Sequence, residues 1–180
     1  RQETNGFSLW TENWRKNVLK SELVPISAPT AVTISAARND TEAFQICCRS
    51  SVNGEVLSIK LSDLKGQGGT ISASNASART VGYYKVLENT FELSNPIAAA
   101  PAMFPEKLLN SDKCEITLFE TQPFWISYYI PEDAVPGDYN GKATVSTTFG
   151  DYEIDINLKV YDTIIPKASK GEFSLELWNQ

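Results

Sequence analysis

The sequence predicts an all-β chain folded as a two-sheet antiparallel β-sandwich, and three observations lead there. Apolar and polar residues alternate with a period of two in segment after segment. The clearest case is Tyr152–Val160, where Tyr152, Ile154, Ile156, Leu158 and Val160 interleave with Glu153, Asp155, Asn157 and Lys159. Such a strand gives one face to a core and one to water. Turn-forming residues recur about every ten positions, the spacing of short strands joined by tight connections. Helical periodicity is weak: Trp10, Trp14 and Val18 lie four apart and suit one helical turn at most. Two sheets packed face to face absorb these alternating faces, in an Ig-like or jelly-roll-like arrangement.

Taken in order, a first short strand is expected around Phe7–Trp10 and a second around Asn17–Lys20. Thr30–Ala36 is β-branched and alternates. Glu42–Arg49 puts Phe44, Ile46 and Cys48 on one face, and Val56–Leu61 groups Leu57, Ile59 and Leu61. Thr80–Leu87 carries Tyr83 and Tyr84. Asn95–Asn110 holds three prolines and a run of small residues, and reads as a long ordered loop, the kind that usually forms a functional or contact surface. Phe124–Ile130 sets Phe124, Ile126, Tyr128 and Ile130 on one side. Lys142–Phe149 and Tyr152–Tyr161 form a hairpin with Gly150-Asp151 between them. Asn53-Gly54, Asn140-Gly141, Lys65–Thr70 and Val135–Asp138 read as turns or loops.

Composition narrows the function. With 180 residues, 42% hydrophobic and 21% charged, the chain can bury a core. A formal net charge of −6 with no lysine/arginine cluster argues against a nucleic-acid partner. No apolar run reaches the roughly 18 residues of a membrane span. The chain opens RQETNG, with neither an initiating Met nor a signal-peptide pattern, and is expected to be a processed or trimmed product. It contains no histidine, which removes the commonest general base, the Ser-His-Asp and Cys-His systems, and imidazole metal ligation. Its three cysteines, Cys47, Cys48 and Cys114, fit no zinc spacing. Either one of the adjacent pair meets Cys114 in a disulfide, or all three are small buried hydrophobes; the second reading is preferred. No metal and no cofactor is expected.

The candidate side chains are weighed against structural roles. Arg38, Asn39, Asp40 and Glu42 form the most polar cluster. It reads as a structural corner, with Asn39 and Asp40 capping the turn and Arg38 paired to Glu42 or a nearby carboxylate. Glu132, Asp133 and Asp138 flank a Pro-Gly turn. Glycosidase chemistry needs one carboxyl held protonated by burial, which a solvated turn does not provide. The turn also lacks the dense oxygen ligands of a calcium loop. Trp10, Trp14, Tyr83 and Tyr84 are candidates for stacking on sugar rings, although packing in the core or against another domain is the more ordinary use of aromatics on sheets. Tyr83-Tyr84 and Tyr128-Tyr129 each turn one ring outward. Asn39-Asp40-Thr41 and Asn75-Ala76-Ser77 match the N-glycosylation pattern; in a bacterial product the pattern would mean nothing, and the matches are read as chance.

Three segments carry a resemblance. They are ARNDTEAFQI at 37–46, PFWISYYIPEDAVPGDYNGKATV at 123–145, and VYDTIIPKASKGEFSLELW at 160–178. In this order they resemble the N-terminal β-sandwich of glycoside hydrolase family 123 and relatives carrying the DUF4091 domain. The match runs through Ala37, Arg38, Asn39, Glu42 and Gln45, then Phe124, Trp125, Pro131, Ala134, Pro136, Gly137, Tyr139 and Gly141. It departs mildly at Asp40 and at Ile165 before Pro166. The resemblance implies a sandwich that precedes a catalytic (β/α)₈ barrel, whose adjacent Asp-Glu pair cleaves N-acetylgalactosaminides with assistance from the substrate. No Asp-Glu dipeptide occurs here. Residues 1–166 are then expected to be a non-catalytic accessory domain, and 167–180 a linker and the first residues of the barrel; the alternatives are a stand-alone carbohydrate-binding module and an Ig-like adhesion or assembly domain. Phe173, Leu175 and Leu177 alternate with Ser174 and Glu176 as a barrel strand would. The expected partner is the C-terminal catalytic domain, contacted through Phe104, Leu108, Phe173, Leu175 and Trp178. A glycan is a further expected partner. The resemblance also implies a periplasmic or extracellular location.

Overall fold

In the computed structural model, residues 2–4, 6–88 and 97–167 are described. They form thirteen strands and a single 3-10 turn. In chain order the strands are β1 (Gln2–Thr4), β2 (Phe7–Asn13), β3 (Ala31–Arg38), β4 (Asp40–Ser50), β5 (Gly54–Leu61), β6 (Leu64–Gly66) and β7 (Gly69–Ile71). After the turn at Ala73–Asn75 come β8 (Ala76–Val86), β9 (Ala102–Leu108), β10 (Cys114–Ile116), β11 (Thr121–Ile130), β12 (Gly137–Thr147) and β13 (Gly150–Ile164). One sheet runs β1-β2-β4-β11-β8-β9. The other runs β10-β5-β12-β13-β3, with the small β6-β7 hairpin attached to β12. Pairing is antiparallel except between β13 and β3, which run parallel.

The alternation read in the sequence builds the core. Tyr152, Ile154, Ile156, Leu158 and Val160 of β13 are all buried against Phe44, Ile46 and Cys48 of β4 and Phe124, Ile126, Tyr128 and Ile130 of β11. Phe7 stacks on Phe149, ring centroids 5.1 Å apart, and tilts against Tyr152 at 4.8 Å. Each such side chain removed from water contributes about 1.5–3 kcal/mol before entropy is counted.

Several expectations are corrected. Residues 17–20 form no strand; they belong to an irregular crossover that leaves β2 and returns to β3. The stretch expected as a loop at 95–110 contains β9, paired to β8. Leu57 is 44% exposed, while Val56 and Ile59 face the core. Partner residues jump from Ser146↔Ser58 to Thr147↔Val56, so Leu57 is the extra residue of a β-bulge, which shifts the alternation along β5 by one position. The β12-β13 hairpin turns at Thr148-Phe149 rather than at Gly150-Asp151; Gly150, at φ +123°, already pairs with Thr147. Asn140-Gly141 lies inside β12 and not in a turn. A Cβ at Gly141 would stand 2.5 Å from Leu64 Cδ2 and 2.8 Å from the Asp63 carbonyl oxygen, so the glycine allows β6 to approach. Lys65–Thr70 forms the β6-β7 hairpin. Cys47, Cys48 and Cys114 are unpaired thiols. The expected barrel strand with Phe173, Leu175 and Trp178 lies outside the described residues.

Candidate functional site

Two regions concentrate polar chemistry, and the first is the corner where the described chain leaves the sandwich. A single residue, Asn39, carries the backbone from β3 in one sheet to β4 in the other, with φ at +57°. Asparagine accepts this left-handed geometry more readily than other residues with a Cβ. Its N–H donates to the Ile130 carbonyl at 2.8 Å, and its Nδ2 to the Ile165 carbonyl at 2.7 Å. Its Oδ1 accepts from the Tyr129 hydroxyl at 2.8 Å. The Ile165 N–H donates to the Arg38 carbonyl at 2.9 Å. Arg38 Nη2 meets Asp162 Oδ1 at 2.8 Å, and Lys167 Nζ meets Glu132 Oε2 at 2.7 Å. The polar cluster is therefore a structural clamp on residues 162–167. Asp162, not Glu42, is the partner of Arg38; Glu42 Oε1 accepts from the Ala43 N–H at 3.1 Å.

The Pro-Gly segment is also structural. The Tyr139 hydroxyl donates to the Val135 carbonyl at 2.7 Å, tying the start of β12 to the turn before it. Glu132, Asp133 and Asp138 are all exposed, and none of them sits in the buried setting that a catalytic acid needs. Among the described residues no three His, Cys, Asp or Glu side chains converge on a metal position.

The second region is the outer face of the first sheet, where the crossover 14–30 lies against β2, β4 and β11. Trp10, Cys47, Val18 and Ala28 make a small second core beneath it, with Val24 packed alongside. Irregular backbone laid on a sheet leaves carbonyls without ladder partners, and side chains of the sheet supply them. Gln45 Nε2 donates to the carbonyls of Asn13 at 2.9 Å and Lys16 at 2.8 Å. Arg49 Nη1 donates to the Glu22 carbonyl at 3.1 Å, the Thr121 hydroxyl to the same carbonyl at 2.7 Å, and the Tyr83 hydroxyl to the Val18 carbonyl at 2.7 Å. Lys16 is held by Glu12 at 3.0 Å and Glu22 at 2.9 Å.

Between this crossover and β9 runs an open groove of about 240 Å³ lined by Trp14, Asn17, Gln45, Trp125, Glu106 and Lys107, among others. Gln45 and Trp125 are cross-strand partners on its floor. Glu106 is an extra residue on β9, because Gly82 pairs with Lys107 and Tyr83 with Pro105. Pro105, which has no N–H, suits this interrupted edge.

The candidate stacking residues separate here. Trp10 is fully buried and offers no ring face to a ligand, because its position on β2 points it under the crossover. Tyr83 is committed to Val18, with Lys20 Nζ 5.4 Å from its ring centroid. Tyr84 is 66% exposed on β8 and does not line the groove. Trp14, 43% exposed, does line it, with the Arg15 guanidinium 5.0 Å from its ring centroid. Trp125 is not among the residues expected to stack on a sugar. The signal was present, since inward Phe124 and Ile126 leave the residue between them facing out. Of the expected interdomain residues, Leu108 is 42% exposed and lines the same groove, while Phe104 is half-buried on β9.

Comparison with known proteins gives a consistent picture. The family model described as the glycoside hydrolase 123 N-terminal domain matches residues 12–147. Among solved structures, a family 123 glycoside hydrolase from Clostridium perfringens, studied for glycolipid glycan hydrolysis, superposes with a TM-score of 0.78 at 21% identity. The match covers 91% of this chain and 29% of that one, so this chain spans less than a third of it. The CooA pilin subunit from enterotoxigenic Escherichia coli is far less similar, with a TM-score of 0.40 at 13% identity over 88% of this chain and 99% of that one. No curated protein matches the chain.

Proposed function

We propose that this chain, which belongs to the glycoside hydrolase 123 N-terminal domain family, is a non-catalytic domain that positions the catalytic domain of a glycoside hydrolase of the N-acetylgalactosaminidase class. The observation that carries the reading is the corner at Asn39. One side chain there ties Tyr129 of β11 to the Ile165 carbonyl, while Arg38 binds both Asp162 and the Ile165 N–H. A chain segment gripped this way leaves the sandwich in a fixed direction, which is what a positional role requires. The absence of histidine and the solvated state of Glu132, Asp133 and Asp138 agree with a domain that does no chemistry itself. The periplasm or cell exterior is the compartment that accompanies this reading.

The test pairs two measurements. The isolated chain is incubated with a chromogenic N-acetylgalactosaminide, with no turnover expected. The coding sequence beyond Gln180 is then read for a strand-helix repeat carrying an adjacent Asp-Glu pair. Hydrolysis by this chain unaided, or no such domain downstream, overturns the proposal.

A further inference from the structure

We infer that the groove between Trp14, Trp125 and Glu106 is a saccharide-binding site for a single pyranose ring. The inference rests on the groove alone and not on the positional role. A pyranose presents an apolar face of C–H groups and a rim of hydroxyls. Its site needs a flat aromatic for the face and unpartnered polar groups for the rim.

Both are present in one place. Trp14 and Trp125 are both lining residues of the groove. Gln45 is only 3% exposed, and its Nε2 is committed to the carbonyls of Asn13 and Lys16. Among the described residues nothing donates to its Oε1. An amide locked by its own NH₂ group in this way is a preorganised acceptor that a ligand hydroxyl can use. Glu106 is the extra residue of the β9 bulge, a device that re-aims a side chain, and it lines the same groove. Asn17 adds an exposed amide at the crossover end.

Charge argues against an anionic ligand. Lys16 is bridged by two carboxylates, Glu12 and Glu22, one more than it can neutralise, and Glu106 and Lys107 in the lining are of opposite sign. The groove is smaller than the roughly 300–1,000 Å³ of pockets for drug-sized ligands, so one ring is the natural unit.

The test is a titration of the isotope-labelled chain with galactose, N-acetylgalactosamine and glucose separately, following the indole N–H resonances by NMR. A dissociation constant on the order of 1–5 mM is expected for one small polar ring, so titration runs to about 50 mM. The Trp14 and Trp125 indoles should shift saturably with at least one sugar while buried Trp10 stays still. Trp14→Ala and Glu106→Gln should each weaken binding about tenfold, and Tyr84→Ala should leave it unchanged. Trp14 lies outside both buried clusters, and a melting curve of its variant checks that the fold is kept. Indoles unmoved by all three sugars, shifts that fail to saturate, or binding unaffected by Trp14→Ala would each overturn the inference. A missing downstream domain would not change the titration, so the two proposals fail separately.

Discussion

The side-chain amide of Asn39 donates to the carbonyl of Ile165 at 2.7 Å, across 126 positions of sequence, and so fastens the end of the described chain to the corner between the two sheets. Asn39→Ala loses this bond and the one from Tyr129, and puts a residue ill-suited to φ +57° at the corner. The expected loss is about 2–3 kcal/mol in urea unfolding. Asn39→Gly keeps the backbone geometry and should lose only about 1 kcal/mol. Equal losses would show that the left-handed backbone contributes nothing.

Tyr139 tests the Pro-Gly turn. Tyr139→Phe leaves the ring in the core and removes only the bond to Val135, for an expected loss of about 1 kcal/mol. Gly141→Ala, two residues on, should cost about 1–3 kcal/mol, because the added methyl meets Leu64 and the Asp63 carbonyl. Melting temperatures compare the two directly, and a neutral Gly141→Ala would mean that β6 does not pack closely on β12.

The crossover over the first sheet depends on side-chain donors. Arg49→Met keeps much of the packing and removes the bonds to the carbonyls of Glu22 and Lys20. A loss of about 1–2 kcal/mol is expected. Trypsin cleavage after Arg15, Lys16 or Lys20 should accelerate in native buffer, as read by mass spectrometry. Unchanged cleavage would assign the hold to Trp10 and Val18 instead.

The buried thiols and phenols set an alkaline limit. Burial pushes Cys47 and Cys48 well above their ordinary range and raises Cys114, while burial and then the charge of Asp63 raise Tyr128 to about 12. A group whose pKa is raised by folding keeps its proton in the native state after the unfolded chain has lost it. Stability is therefore fully present below the unfolded values near 9 and 10, and falls as pH climbs through the folded ones. A midpoint of unfolding that declines from about pH 9 upward is expected. At pH 8 a thiol reagent should label Cys114 first, with Cys47 and Cys48 reacting only on unfolding. Rapid labelling of all three in the native protein would contradict this burial.

The fold was legible wherever one face meets the core and the other meets water. Tyr152–Val160 and Phe124–Ile130 alternate without interruption, and both strands lie where the pattern puts them. Legibility failed where one extra residue breaks the period, at Leu57 and at Glu106, because a bulge is set by the partner strand and leaves no local mark. It failed again on the outer face of the first sheet. Nothing in the sequence reveals that the segment after Asn13 lies on top of Trp10 and Gln45. At the corner, turn chemistry identified Asn39, but the choice of Asp162 over Glu42 as the partner of Arg38 is a fact of tertiary packing.

The parallel pairing of β3 with β13 also constrains how the protein is made. Val32 must wait for Ile156 and Ile34 for Leu158, so this flank of the second sheet stays open until almost the whole described chain has left the ribosome. Closing so large a loop gives little reward until the last strand arrives, and folding is accordingly slow and late. Until then the nascent protein displays an unpaired strand edge to its neighbours, and that interval is when a holding chaperone has most to offer it.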